Sequence, residues 1–250
     1  SFMNFADFGL GTWHPKGGMY EVILAMEKLA KELGVVIKTN SPVDKILVDD
    51  MGRAEGLITN DQKFLYPTIL SGADYHHSET LLPKKYRQYS ESYWEKKTFA
   101  PSSLIFYVGF NKRLKNIDHH NLFFDTDFTK HANEIYEDPK WPEEPLFYAN
   151  FTSLSDPETA PEGCENGFFL IPLAPNLEDT PELREEYFDK IMTRFESRTD
   201  QTVRENIIFK ESFCVNDFIS EYNSYKGNAY GMANTLLQTA FLRPNLRSRK

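Results

Sequence analysis

The pair Gly17-Gly18, set between Pro15 and a long amphipathic run, restricts this chain more than any other stretch. Pro15 fixes φ just ahead of the pair. Residues without a Cβ let the backbone turn sharply and let another surface come close. Behind the pair, Met19, Val22, Ile23, Met26, Leu29, Ala30 and Leu33 recur at helical spacing, with Lys28, Lys31 and Glu32 opposite. The spacing predicts a half-buried helix over 16–33, ended by Gly34 as a left-handed cap. Two readings of the glycine pair stand side by side. One is a turn that starts a buried helix. The other is a helix start whose free N–H groups and partial positive charge receive an anion or the edge of a cofactor.

Short β-branched runs follow and predict strands over 35–39, 43–48, 54–59, 63–65 and 67–71. The last closes on Gly72-Ala73-Asp74. Helix, strand, hairpin, strand is an α/β arrangement with an antiparallel insert. Asp74 can cap a helix over 75–82, and Gly72 and Ala73 are small enough for a dinucleotide to lie against the backbone. His76 and His77 are adjacent and do not converge on one point, so no metal site is expected. The basic, Tyr-rich stretch 83–98 is predicted as a crossing helix. From Ser102 the pattern changes to longer strands rich in Phe and Tyr, over 102–110, 122–124, 146–152, 168–173 and 207–213, with helices over 126–136 and 180–194. Such strands suit a sheet covered by helices on one side and by ligand on the other. A turn over 224–231 leads to a short helix over 235–243. Its Arg243 either neutralises a bound group or makes a surface salt bridge.

Composition narrows the partners. The 250 residues carry a formal charge of −9, which argues against nucleic acid and against charge-driven binding to an anionic membrane. Aromatics are high at 14%, so rings must either fill a core or line an apolar cavity. No apolar run is long enough to span a bilayer and no leader pattern is visible. A cytoplasmic protein is expected, with apolar contact to a membrane surface left open. Cys164 and Cys214 lie far apart without CxxC spacing, so reduced thiols rather than a zinc site are expected.

Several motifs in order resemble one family. They are Pro15-Lys-Gly-Gly-Met19, Thr39-Asn-Ser-Pro-Val-Asp-Lys-Ile46, Ala54-Glu-Gly-Leu57 and Ser71-Gly-Ala-Asp74. Further on come Ala100-Pro-Ser-Ser103, Tyr107-Val-Gly109, His119-His-Asn121, Asp156-Pro157, Gly227-Asn-Ala-Tyr-Gly231 and Gln238-Thr-Ala-Phe-Leu-Arg-Pro244. Together they resemble the bacterial-type phytoene desaturases, FAD-dependent carotenoid desaturases of the flavin amine oxidase-like superfamily. The resemblance implies a partial Rossmann-like FAD-binding domain over 1–83. A substrate domain built on a mostly antiparallel sheet with covering helices follows over 84–233, and a return toward the flavin domain over 234–250. It also implies that Val43 presents its backbone to the adenine of FAD, with Gly17, Gly18, Gly72 and Ala73 as further cofactor contacts. Trp13 and His14 stand where a site is expected to be lined.

A GxGxxG fingerprint is expected at the start of such a flavoprotein. Gly9-Leu-Gly11 is followed by Thr-Trp instead, and a second glycine-rich stretch expected near the family's C-terminus is also missing. The chain therefore reads as an internal fragment, expected to be inactive alone and not to retain FAD. The implied activity of the parent is removal of hydrogen from a long isoprenoid such as phytoene, at a membrane surface. A neutral polyene must be gripped by an apolar tunnel. Phe106, Tyr107, Tyr148, Phe151 and Phe169 are the expected lining, and no catalytic acid or base is assigned. The same architecture also serves non-enzymatic binders of prenyl chains, such as GDP dissociation inhibitors, and flavin-dependent polyene saturases or isomerases.

Overall fold

The computed structural model describes residues 5–239 and 242–245. Its centre is a five-stranded antiparallel sheet made of β4 (Ser102–Phe110), β5 (His120–Phe123), β6 (Phe147–Asn150), β7 (Glu165–Leu173) and β8 (Ile207–Phe213), in the order β5-β6-β7-β4-β8. Successive side chains of a strand point to opposite faces. In β7 buried and half-buried residues alternate without a break. β4 pairs with β7 in continuous register, with Phe106 opposite Phe169 and Tyr107 opposite Phe168.

One face of the sheet is sealed by the helix α5 (Pro181–Thr199). Thr180 caps it by accepting from the Leu183 N–H at 3.2 Å, with Pro181 at the first position. Asp200, at φ 52°, ends it in the left-handed region. The helix runs one turn past the 180–194 predicted, because Phe195 continues the stripe of Tyr187, Phe188, Ile191 and Met192. Phe195 meets Phe151 and Phe169 with ring centroids 5.7 and 5.5 Å apart, and Phe151 and Phe169 are themselves 5.7 Å apart. Gly167 leaves the room for this cluster. A Cβ there would sit 3.0 Å from Phe110, 3.0 Å from Phe169 and 3.2 Å from Phe151. Two helices flank the sheet. α4 (Phe128–Tyr136) is capped by Asp127, and α6 (Val215–Tyr222) had no counterpart in the sequence reading. Arg184 joins α5 to α6 by bonding Asp179 through two nitrogens at 2.7 Å and Asp217 at 2.8 Å.

The N-terminal third differs from expectation. A separate antiparallel sheet of β1 (Val43–Val48), β2 (Ala54–Thr59) and β3 (Gln62–Leu65) forms as predicted. The strands predicted over 35–39 and 67–71 do not form. Val36 is 79% and Leu70 95% exposed, and a strand whose N–H and C=O groups find no neighbour has nothing to hold it extended. All strand pairings among the described residues are antiparallel. The helix α1 (Tyr20–Glu32) forms, yet no residue of it is buried, so its apolar stripe is exposed and not half-buried as expected.

The predicted crossing helix over 83–98 breaks into a 3-10 turn Lys84–Tyr86 and the short α3 (Glu91–Glu95). Trp94 there packs with Phe99 and Met232 as a second small core. The last described segment is held to it by Gln238, whose side chain bonds both the N–H and the C=O of Thr98. Of the helix predicted over 235–243 the described residues show a 3-10 turn, Leu236–Gln238, and a bond from the Leu242 N–H to the Thr239 carbonyl; Ala240 and Phe241 of that motif lie outside the described residues, as do Ser1–Asn4 and residues 246–250. Arg243 makes no ion pair among the described residues. It donates to the Asn234 side chain at 2.8 Å and to the Met232 carbonyl at 3.2 Å. Both cysteines are free, and burial pushes the Cys214 thiol up to about 12. Among the described residues no helix is long and apolar enough to cross a membrane.

Two outcomes are expected. Gly167→Ala destabilises the chain by about 1–3 kcal/mol in urea unfolding, because three packed rings must move. His131 is buried. It accepts from the Leu146 N–H at Nδ1 and meets the Pro172 carbonyl at Nε2, an arrangement that needs the neutral ring, and burial lowers its pKa. The unfolded state therefore takes up a proton that the folded state refuses. Stability is full above about pH 6.5 and falls as the pH drops from there toward the lowered folded value. His131→Gln is expected to flatten that slope, measured as the urea midpoint from neutral to mildly acidic pH.

Candidate functional site

The second face of the central sheet is not covered by α5. Phe168 on β7, Tyr107 on β4 and Tyr148 on β6 project from it, and Tyr107 is 44% exposed. Their rings lie edge to face, with centroids 5.5 Å apart for Tyr107 and Phe168 and 6.2 Å for Tyr148 and Phe168. The segment Thr12–Tyr20 crosses above them. Between segment and sheet is a groove of about 1270 Å³, walled also by Trp13, Gly17, Gly18, Met19 and Phe209.

A buried carboxylate ties the segment down, and an exposed ion pair, Lys16 with Glu158 at 2.9 Å, joins it to the same loop. Asp156, 5% exposed, accepts from the Gly17 N–H at 2.6 Å and lies 3.7 Å from His14 Nε2. Asp156 is itself placed by the loop between β6 and β7. There Asn166 bonds the Ser153 N–H and the Thr159 carbonyl through its amide. Gly17 and Gly18, at φ 87° and 100°, adopt the left-handed half of backbone space, where a side chain is strained. Their N–H groups are not idle: that of Gly17 goes to Asp156 and that of Gly18 to the Pro15 carbonyl at 3.0 Å.

At one end of the groove three histidines cluster, edge-on and tilted to one another. His14 and His119 have centroids 5.2 Å apart, and His119 and His120 4.4 Å apart. His119 shares a hydrogen bond with the Ser155 hydroxyl. Burial, then the neighbouring His120 and His14, lower its pKa and keep it neutral. The Asn150 amide nitrogen can only donate, and it lies 3.2 Å from His120 Nδ1. That nitrogen is thus an acceptor, and the Tyr148 hydroxyl donates to it at 2.6 Å. No three His, Cys, Asp or Glu side chains among the described residues converge on a metal position.

The expected site residues divide sharply. Tyr107, Tyr148, Gly17, Gly18, Trp13 and His14 line the groove. Phe106, Phe151 and Phe169 do not. They are fully buried against α5, so they are core. The reason is parity. β4 and β7 each carry two adjacent rings, Phe106-Tyr107 and Phe168-Phe169, and a shift of one residue swaps the faces. Phe168 lines the groove for the same reason, and Phe209 on β8 joins it there. Val43 opens β1 opposite Thr59 and lies outside the groove's lining. Gly72 and Ala73 sit in the exposed turn before α2 (Tyr75–Thr80), capped by Asp74, and a Cβ on Gly72 would meet nothing within 4 Å. At the groove, only Gly17 and Gly18 of the expected cofactor contacts are present. A Cβ on Gly18 would find no atom nearer than 3.9 Å, so that rim is open to a flat group.

No family model matches the chain. Curated relatives do. The carotenoid 3,4-desaturase of Haloarcula japonica is 38% identical over 252 residues, covering 99% of this chain and 50% of its own length. The 4,4'-diapophytoene desaturase of Staphylococcus haemolyticus is 28% identical, covering 94% of this chain and 49% of its own. Among solved structures, an oxidoreductase from Methanosarcina mazei superposes with a TM-score of 0.61 over 85% of this chain and 46% of its own, at 19% identity. That likeness carries the fold. The chain spans about half the length of the curated relatives it matches. These curated relatives, which match through nearly the whole of this chain, are carotenoid and diapophytoene desaturases, and the chain is similar to about half of each.

Proposed function

We propose that the protein to which this chain belongs is an FAD-dependent desaturase acting on a long acyclic isoprenoid, phytoene being the simplest case. The observation that carries this reading is the aromatic groove on the open sheet face, closed over by the glycine turn. A polyene offers no charge and no hydrogen bond, so its affinity comes from apolar area removed from water, about 25 cal/mol per Å². Tyr107, Phe168 and Tyr148 supply flat apolar surface across three neighbouring strands. Trp13 and Met19, 86% and 65% exposed, add further apolar surface from the segment above.

FAD supplies the hydride acceptor when bound. Of the two glycines, Gly18 fits its edge, on the open rim described above, whereas a Cβ on Gly17 would lie 3.1 Å from Glu21. Asp156 holds that rim at a set height over the sheet, and orients it through the Gly17 N–H. His119, kept neutral, brings no charge to an apolar substrate. We place the division between the flavin-side and substrate-side parts near Pro83, after α2 and before the central sheet. The names of the relatives, a 3,4-desaturase and a diapophytoene desaturase, support polyene desaturation as the reaction class.

The test uses the full-length protein in cells that accumulate phytoene, with pigment formation as the readout. Colourless cells with soluble, flavin-loaded protein would reject desaturation. The two neighbouring rings of β7 give a sharper check. Phe168→Ala is expected to lower kcat/KM about tenfold with little change in melting temperature. Phe169→Ala is expected to cost about 3–5 kcal/mol of stability, because its ring fills the core under α5.

A further inference from the structure

We propose that a second apolar chamber, farther along the open sheet face, receives the far end of the isoprenoid chain, and that it sets the length of chain the protein accepts. This rests on the reading of the groove as the polyene site. The chamber, about 340 Å³, lies between α4 and the strands β5, β6 and β7, and its walls include Leu122, Phe124, Phe128, Ala132, Ile135 and Pro172. Tyr148 is the one described residue that lines both spaces.

The two are consecutive along one strand face. Phe168 lies in the groove and Pro172 in the chamber, on the same side of β7. Four residues of strand separate them by roughly 13 Å. Leu170, between them, pairs with Tyr148 across the ladder. An extended chain lying over Phe168 therefore reaches the chamber by passing the Tyr148 ring. That ring is fixed at the passage by its hydroxyl bond to His120 at 2.6 Å.

The chemistry of the walls matches a hydrocarbon end. Leu122, Phe124 and Phe128 are 64%, 56% and 63% exposed, although the same sheet buries comparable side chains completely on its other face. The chamber has no charged side chain in its lining. Its imidazole, His131, is already bonded at both nitrogens, to the Leu146 N–H and the Pro172 carbonyl. The Tyr136 phenol, 49% exposed, adds a hydroxyl to an otherwise apolar lining.

The experiment uses the full-length protein and two acyclic isoprenoid polyenes, a longer and a shorter one, presented in detergent. Binding and conversion are both measured for wild type, Ala132→Phe, which fills the chamber, and Tyr148→Trp, which narrows the passage. Ala132→Phe is expected to weaken binding of the longer polyene about tenfold or more, since several methylene-sized groups lose their burial. The shorter one should change by less than about twofold, which also shows that the variant is folded. Tyr148→Trp should weaken the longer polyene more than the shorter. Equal losses for both lengths, or no change for either, in the two variants would overturn the chamber. Length-selective binding without any conversion by wild type would uphold the chamber and reject the desaturase reading. Conversion by wild type with no length-selective loss in the variants would do the reverse.

Discussion

Everything in this molecule depends on the pairing of β4 with β7. Nine residues of each strand face one another in continuous register, from Ser102 opposite Leu173 to Phe110 opposite Glu165. Because side chains alternate, that register sorts the rings into two populations. Phe106, Phe110, Phe169 and Ile171 go inward, beneath α5. Tyr107 and Phe168 go outward, to the groove. A slip of one residue would bury the tyrosine hydroxyl and expose the phenylalanine core. The core is thus the device that aims the site: the same hydrogen-bonded ladder that packs one face tightly leaves the other open.

The groove also needs a roof, and the roof comes from far away in the chain. Gly17 and Asp156 are 139 residues apart and share one hydrogen bond. Asp156 is nearly buried, so that bond is charge-assisted and poorly screened. It uses the N–H that a helix start would otherwise offer to an anion. The glycine turn here acts first as a tether to the sheet, and its open rim is a consequence of the missing Cβ of Gly18 rather than of unpaired donors. Beside it, α1 lies with its apolar stripe exposed, and residues 35–39 and 67–71 stay unpaired. These segments have the composition of a packed layer and no strand against them.

Much of the fold was legible in local pattern. The strands over 43–48, 54–59, 102–110 and 207–213 were predicted to the residue, and the start of α5 nearly so. Strong β-branched and aromatic runs bounded by turn residues leave little choice, and Thr180-Pro181 announces a helix start. The errors share a physical cause. Residues 35–39 and 67–71 have strand composition, but a strand exists only through its neighbours. The stretch 83–98 has helix-like spacing, yet Trp94 and Phe99 are pulled into a separate small core with Met232, and that interrupts it. α6 was missed because its short apolar stripe, from Val215 to Tyr222, is read only against the helix and strand it packs on.

For the site, the sequence by itself determined the ingredients: an unusual stock of rings in the strands, two glycines before a helix, and an order of motifs shared with the carotenoid desaturases. Those are properties of the covalent chain and survive without coordinates. Tertiary structure alone decided which rings are wall and which are core, that Asp156 ties down the glycine turn, and that the open face continues past Tyr148 into a second space. Parity, long-range pairing and enclosure each require at least two segments to meet in three dimensions, and no single segment carries that information.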